Sequence, residues 1–406
     1  MNVSYILRYR SLFFIAFLIP LFFVSCAELK KEPLVSKKPA LKRVWSFWYP
    51  KFSDDMAYEG LENSILKSIS YLKKVPSNRM FTFEKDSYSA AHMIKSLERF
   101  LSFIQTTPSD QDMKKYIKSN YFVYKSVGGN TSGKVFFTGY YEPIIEGSLE
   151  KTFEYRFPIY SRPYDLITID LSLFSEKYKG KRIIGRYAEQ TVFPYYERNE
   201  IENQGVLDGN AEEIAWVKDP VDLFFLQIQG SGKICLEDGN LINIHYHIAN
   251  GRPYRSIGKL LIDEGKIPKS EMSMQKIRSY LSNHPDEVEA ILNYNPSYVF
   301  FKIEEEGPLG YLGVKLTPGR SIALDRRIFP LAALAFIETE KPAINDGQID
   351  NWTDFSRFVL NQDTGGAIRG PGRADLFWGN GPYAEIAAGH MQHMGKLYFL
   401  ILKPDA

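Results

Sequence analysis

From Asn361 to Met391 the chain reads NQDTGGAIRGPGRADLFWGNGPYAEIAAGHM. Asp363 and Asp375 bracket a loop containing Gly365, Gly366, Gly370 and Gly372. Dense glycine lets backbone approach backbone or ligand closely and adopt positive φ. Asp375 is followed by Leu376, Phe377 and Trp378, groups that could desolvate a carboxyl and stack on a sugar face. Desolvation raises a carboxyl pKa, as a general acid working near neutrality requires. The plain alternative for an Asp–Gly loop is a capped turn. Gly230-Ser231-Gly232 could present N–H groups to an anion, but its place between two apolar runs reads as a hairpin turn. His245 and His247, or His390 and His393, could ligate a metal, yet no Cys or acidic third ligand stands at recognisable spacing. These histidines are assigned to hydrogen bonding or exposed positions, and no metal site is expected. The sequence contains no GxxxxGK[ST], HExxH or CxxC pattern, and no cofactor is expected.

The elements that must position these residues fall into three stretches. In the first, Leu61, Ile65, Ile69 and Leu72 recur on one helical face, as do Met93, Leu97, Phe100, Leu101 and Ile104, with Ser89 as a cap. KVFFTGYY, from Lys134 to Tyr141, reads as a strand stopped by Pro143. The middle stretch, about 144–292, holds short strands, one near Phe157–Tyr160, and an apparent hairpin around 222–249. Helical patterns follow at Ser256–Asp263, from about Ser273 to Leu281, and at Pro285–Leu292. After Pro296 the pattern returns to short strands: YVFFKIE, GYLGVKL, SIALD, AALAFIET, FVLNQD and LYFLILKP. Gly-punctuated strands of this kind suggest a small closed barrel rather than a doubly wound sheet.

The chain has 406 residues, with 50 Lys and Arg against 48 acidic residues. It opens MNVSYILRYRSLFFIAFLIPLFFVSC, where Arg8 and Arg10 precede an apolar run from Leu12 to Val24 interrupted by Pro20. That order is an export signal over residues 1–25, and Val24-Ser25-Cys26 resembles a bacterial lipoprotein processing site, although Phe23 departs from the usual Leu or Val. The alternative is an uncleaved anchor with an incidental cysteine. Diacylation of Cys26 would suffice for stable membrane anchoring. Ala27 rather than Asp after Cys26 favours the outer membrane, facing the periplasm. Removing Arg8 and Arg10 leaves 48 positive and 48 negative residues, which weakens any reading as a sequence-independent nucleic-acid binder. Two cysteines form no disulfide framework, and Cys235 is left as a reduced, buried residue. Aromatics at 15% exclude disorder for most of the chain. Residues 26–43, rich in Lys and Pro, read as a tether.

Several motifs in order carry a family resemblance. Asp325 in SIALDRRIFPLAA, Asp363 in DTGGAIRG and Asp375 in RADLFWG resemble the aspartates of the three-aspartate module. FTGYYEP (137–143), DLFFLQIQGSGKI (222–234), RPYRSIGKLLIDEGKIP (252–268), EMSMQKIRSYL (271–281) and NPSYVFFK (295–302) resemble the membrane-bound lytic murein transglycosylase A family. The likeness runs from about residue 45 to the C-terminus and is strongest from 134 onward. It implies a mainly β protein with N-terminal helices, a double-psi β-barrel and an inserted second β-domain. The implied boundaries are 44–143 for the helices and first barrel part, 144–294 for the insertion and 295–406 for the rest of the barrel. The implied chemistry is non-hydrolytic cleavage of the MurNAc–GlcNAc β-1,4 bond of peptidoglycan, leaving 1,6-anhydromuramic acid. Asp375 would serve first as acid and then as base. Asp363 would support the site, with Gly365, Gly366 and Arg369 in its loop, and Asp325 would stabilise the barrel. Thr138, Tyr140, Gln229 and Ser231 are candidate sugar contacts. Arg369 stands where Lys is common in the family, which leaves fine substrate contacts open. Other readings are a peptidoglycan hydrolase using Asp363 and Asp375 with water, and a non-catalytic glycan-binding lipoprotein.

Overall fold

A computed structural model describes residues 39–129 and 133–405, so Cys26 and the export segment lie outside the described residues. Six strands close into a barrel in the order Val135–Tyr140, Arg373–Phe377, Ser321–Ala323, Gln348–Asp363, Leu334–Asn345 and Gln392–Leu402, which returns to the first. Two of its pairings are parallel, Val135–Tyr140 with Arg373–Phe377 and Ser321–Ala323 with Gln348–Asp363; the other four are antiparallel. Chain segments more than 180 residues apart therefore share one ring, with Phe137, Ile322, Ala335, Val359, Ala374, Leu376 and Phe399 on its inner face and Leu334, Phe336, Phe358 and Leu360 on its outer face, all part of one apolar core.

Helices Leu61–Lys74 and Ala90–Ile104 lay the apolar faces formed by Leu61, Ile65, Ile69 and Leu72 and by Met93, Leu97, Phe100 and Ile104 into that core. The Ser89 hydroxyl caps the second by accepting from His92 N–H at 3.2 Å. The first is pinned by buried Gln362, whose Nε2 donates to Ser64 O and Ser68 Oγ at 2.8 and 2.9 Å. Gln362 thus ties a helix to the strand end carrying Asp363. Leu41–Val44, inside the expected tether, is instead an edge strand paired antiparallel with Tyr121–Ser126, and Leu41 is buried.

A second, six-stranded sheet runs in the order Val299–Glu304, Leu241–Ala249, Ser231–Cys235, Ile144–Ser148, Glu213–Val217 and Phe157–Tyr160, over its own core of Ile145, Ile159, Val217, Leu226, Ile234 and Phe301. YVFFKIE, expected to open the rest of the barrel, belongs to this sheet, because Val299–Glu304 pairs with Leu241–Ala249. GYLGVKL forms no strand; its backbone turns back on itself through Gly313 at φ +66°.

The largest departure is at 220–229. These residues form a helix, Pro220–Gln229, and the Gly230-Ser231-Gly232 hairpin does not exist. Asp219 caps the helix through Val221 N–H at 2.8 Å, Pro220 occupies its first turn, and Gly230 ends it at φ +80°. Leu223 to Gln227, more than one full turn, are all buried, and the exposed position is the apolar Ile228, so no polar stripe reveals a 3.6-residue period. The true hairpin joins Ser231–Cys235 to Leu241–Ala249 through residues 236–240. Cys235 is a free thiol, half-buried rather than fully buried.

Candidate active site

Register alone brings the aspartates together. In the parallel pair, Asp375 stands opposite Thr138 and Phe377 opposite Tyr140. Ala323 on the neighbouring strand is opposite Asp375 on one side and Asp363 on the other. Two strand spacings separate the aspartates, about 10 Å between their Cα atoms. Since side chains alternate across a strand, Phe137, Ala374 and Leu376 point into the barrel while Thr138, Tyr140 and Asp375 share its outer face.

The Thr138 hydroxyl donates to Asp375 Oδ1 at 2.7 Å, and Arg373 Nη2 reaches Thr138 Oγ1 at 3.4 Å. The Tyr140 hydroxyl donates to Asp363 Oδ2 at 2.8 Å, while the Tyr311 and Thr364 N–H groups donate to Oδ1 at 2.9 and 2.8 Å. Burial pushes the Asp375 carboxyl up to about 6, against the Thr138 hydrogen bond and the Arg373 charge and with help from the Asp363 charge. Burial likewise pushes Asp363 up to about 6, against its three donors. Tyr140 is held well above its ordinary value by burial and by Asp363, so it remains a phenol. The two carboxyls are not equivalent. Both oxygens of Asp363 are engaged, whereas Oδ2 of Asp375 has no hydrogen-bond partner among the described residues. Among the described residues, then, Asp363 is held at both oxygens and Asp375 at one.

Gly139, between Thr138 and Tyr140, has a packing reason. A Cβ there would lie 2.6 Å from the Trp378 indole and 2.8 Å from Ala388 Cα in the helix Pro382–His390. Trp378 is buried against Phe355 and Tyr383, and Phe377 is buried with its ring 5.2 Å from that of Tyr140. Neither offers a sugar platform, contrary to the sequence reading: Phe377 is covered beside Tyr140, and Trp378 packs on the opposite side of its strand against Gly139.

Asp325 lies under the glycine loop. Its carboxylate accepts from Arg327 Nε and Nη2 at 2.8 and 2.6 Å and from Gly370 N–H at 2.8 Å. The Arg327 guanidinium and the Gly370 N–H hold its pKa well below the usual carboxylate range. Asp325→Asn is expected to cost about 1–3 kcal/mol of stability, because a buried acceptor is exchanged for a donor facing donors. Turnover per folded molecule should stay within tenfold of the parent. A thermal melt beside a turnover assay checks this, and an unshifted melt with lost turnover would contradict it.

Gly365 approaches Ile368 closely, since a Cβ there would lie 3.0 Å from Ile368 Cγ1, whereas Gly366 meets nothing. Arg369 is exposed and leans on the Gly365 and Ile368 carbonyls at 3.3 and 3.4 Å. Two predicted contacts sit elsewhere in the network. Gln229, at the end of its helix, accepts from Tyr141 N–H at 3.1 Å and so braces the strand carrying Thr138 and Tyr140. Ser231 is buried in the second sheet opposite His245, with no hydrogen bond to either aspartate among the described residues. Sequence reasoning missed Arg373 and Tyr311. Arg373 is two residues from Asp375 on one strand, so the period of two could have placed both on one face. Tyr311 acts through its backbone and leaves no residue-type signal. Gln392, opposite Thr138 on its other side, marks where a cleft of about 650 Å³ begins, lined also by Lys269, Lys276, Trp352 and His393. Among the described residues no group of His, Cys, Asp or Glu is arranged to hold a metal ion.

Comparison with known proteins places this geometry. Residues 136–302 match the MltA specific insert domain, and residues 320–401 match the 3D domain. The chain is 32% identical over 279 residues to membrane-bound lytic murein transglycosylase A of Vibrio cholerae, covering 68% of each chain. It is 35% identical over 283 residues to the Escherichia coli protein of that name, covering 69% of each. Among solved structures, a membrane-bound lytic murein transglycosylase from Agrobacterium tumefaciens superposes with a TM-score of 0.73 at 30% identity, over 89% of this chain and 98% of that one. Escherichia coli MltA with bound chitohexaose gives 0.69 at 26% identity, over 90% and 96%.

Proposed function

The chain belongs to the membrane-bound lytic murein transglycosylase A family, and from that premise we propose that Asp375 carries out both proton transfers of peptidoglycan cleavage. The protein is an enzyme, a lytic murein transglycosylase acting on peptidoglycan. Protonated Asp375 gives its Oδ2 proton to the glycosidic oxygen as the bond from muramyl C1 to that oxygen breaks. The resulting carboxylate takes the proton of the muramyl C6 hydroxyl as O6 bonds to C1, closing the 1,6-anhydro ring and restoring the acid. No water is consumed. The observation that carries this reading is the asymmetry of the two carboxyls: one is bound at both oxygens, and one is held at Oδ1 with its other oxygen unengaged among the described residues.

Thr138 orients Asp375, Tyr140 and Tyr311 N–H fix Asp363, and Asp325 anchors the glycine loop holding Gly365, Gly366 and Arg369. Gln229 and Ser231 shape the junction between barrel and insertion, on the second-sheet side of a groove for the glycan. The two parallel pairings in the ring support a double-psi barrel, with the insertion running from about 144 to the low 300s. Analysis of muropeptides released from purified sacculi tests the reaction: products should end in 1,6-anhydromuramic acid. Reducing ends would mean that water attacks, and the Asp363–Asp375 pair would then act as a hydrolase.

Lipid on Cys26 provides the membrane association, in the outer membrane with the enzyme facing the periplasm. Labelled fatty acid should enter the wild-type protein and be absent from Cys26→Ala; equal labelling of the two would end this part of the reading.

A further inference from the structure

Trp45, Phe47 and Trp48 are 83%, 83% and 72% exposed, the most solvent-facing cluster of large apolar side chains near the start of the described chain. Water-facing aromatics in such a group mark an interaction site more often than chance. We propose that this Trp-Ser-Phe-Trp projection inserts into the lipid–water interface as a second membrane contact beside the N-terminal lipid. The proposal rests on the membrane-associated reading above.

The projection is held rigidly from both sides. Before it, Val44 pairs with Val123; after it, the buried Tyr49 donates its hydroxyl to the Tyr121 carbonyl at 3.2 Å. Between these clamps one turn of 3-10 helix, Ser46–Trp48, closes through Trp48 N–H to Trp45 O at 2.8 Å. These clamps fix the backbone of the projection at the surface, where its rings are exposed. Phe47 and Trp48 stand at 88° to each other, an edge contact rather than the flat platform a sugar ring stacks on. Cations flank them: Lys42 and Lys51 are exposed, and Arg43 and Lys403 lie over the Phe122 ring at 3.4 and 5.8 Å. Glu84 accepts from the Arg43 backbone N–H. Tryptophan settles at the headgroup level, and neighbouring Lys and Arg favour anionic lipid.

Chain length and direction choose the occupant. Cys26 precedes Trp45 by 19 residues, a span of at most about 65 Å, and Lys30, Lys31, Lys37 and Lys38 lie within it. The patch is therefore the first folded surface a lipid-anchored chain brings to the bilayer. It is also remote from the chemistry. Strand Gln392–Leu402 has Gln392 opposite Thr138 at one end and Leu402 opposite Tyr121 at the other, about 30 Å apart at strand rise. Docking at the Tyr121 end would leave the aspartates at the far end of this strand from the bilayer.

The test uses the full processed protein with vesicles of phosphatidylethanolamine and phosphatidylglycerol whose acyl chains are brominated. Two of the five tryptophans would be within reach of bromine, so wild-type emission should fall by about two-fifths. In a variant carrying Trp45→Ser, Phe47→Ser and Trp48→Ser the quenching should vanish, while turnover on soluble glycan stays unchanged. Wild-type emission unaffected by brominated vesicles, or equal quenching in the variant, would overturn the proposal. So would emission that responds to soluble murein glycan and not to vesicles, which would make the patch a sugar site. Membrane fractionation of the same cells and product analysis report separately on the anchoring and on the reaction.

Discussion

Asp375→Asn is expected to lower peptidoglycan cleavage by at least about 10²–10⁴-fold, the range for general acid–base catalysis, if one group handles both protons as proposed. Asparagine keeps the shape and can still accept from Thr138, so glycan affinity should hold. The melt should not drop. A carboxyl whose folded pKa is raised to about 6 contributes stability while protonated and loses it as pH rises from the ordinary carboxylate range through 6. A neutral amide escapes that loss at neutral pH. The same shift sets the pH profile of the wild type. The first step needs the acid form, so kcat/KM should decline about tenfold per unit once pH is well above 6. Arg373 favours the carboxylate, so Arg373→Gln should carry that alkaline limb to higher pH. Near wild-type cleavage by Asp375→Asn, measured by anhydro-product release, would assign the proton to another residue.

Asp54→Asn should give the largest loss of stability, about 3–5 kcal/mol, by stranding a buried cation. Arg320 and Asp54 pair with both side chains removed from solvent: Nη1 to Oδ2 at 2.7 Å and Nη2 to Oδ1 at 2.9 Å. Phe358 N–H also donates to Asp54 Oδ2 at 3.0 Å, while Arg320 donates to Glu59 O and Phe358 O, each at 2.8 Å. This cluster fastens the segment leading into helix Leu61–Lys74 onto the barrel, beside the strand of Ala323 on which the two aspartates are registered. Per-residue unfolding entropy puts the fall in melting temperature at roughly 4–6 °C for a chain of this size. Combining Asp54→Asn with Arg320→Met should recover much of the loss, since removing both charges relieves the burden of the unpaired one. A single variant that melts within a degree of wild type would show the pair to be energetically idle.

Much was readable from residue order. The helical faces of Leu61, Ile65, Ile69 and Leu72 and of Met93, Leu97, Phe100 and Ile104 are buried because an amphipathic period of 3.6 leaves one arrangement that hides the apolar stripe. Asp363, Asp375 and the glycine loop between them stand out as a candidate site by residue type and spacing alone, and the change in character near 144 stands out by composition. Where local pattern was silent, tertiary structure decided. Across residues 220–229 the apolar side chains run through consecutive positions, Leu223 to Leu226, so they trace no helical stripe, and buried surroundings made the segment a helix. Trp378 could face sugar or core, and Gly139, from a strand more than two hundred residues away, opens the space that draws it inward. The placing of Asp363 and Asp375 on either side of Ala323, the Thr138 hydrogen bond and the Tyr311 N–H all depend on register between distant strands. Register is chosen by how whole sheets pack, because a slip of one residue would turn every one of these side chains to the opposite face.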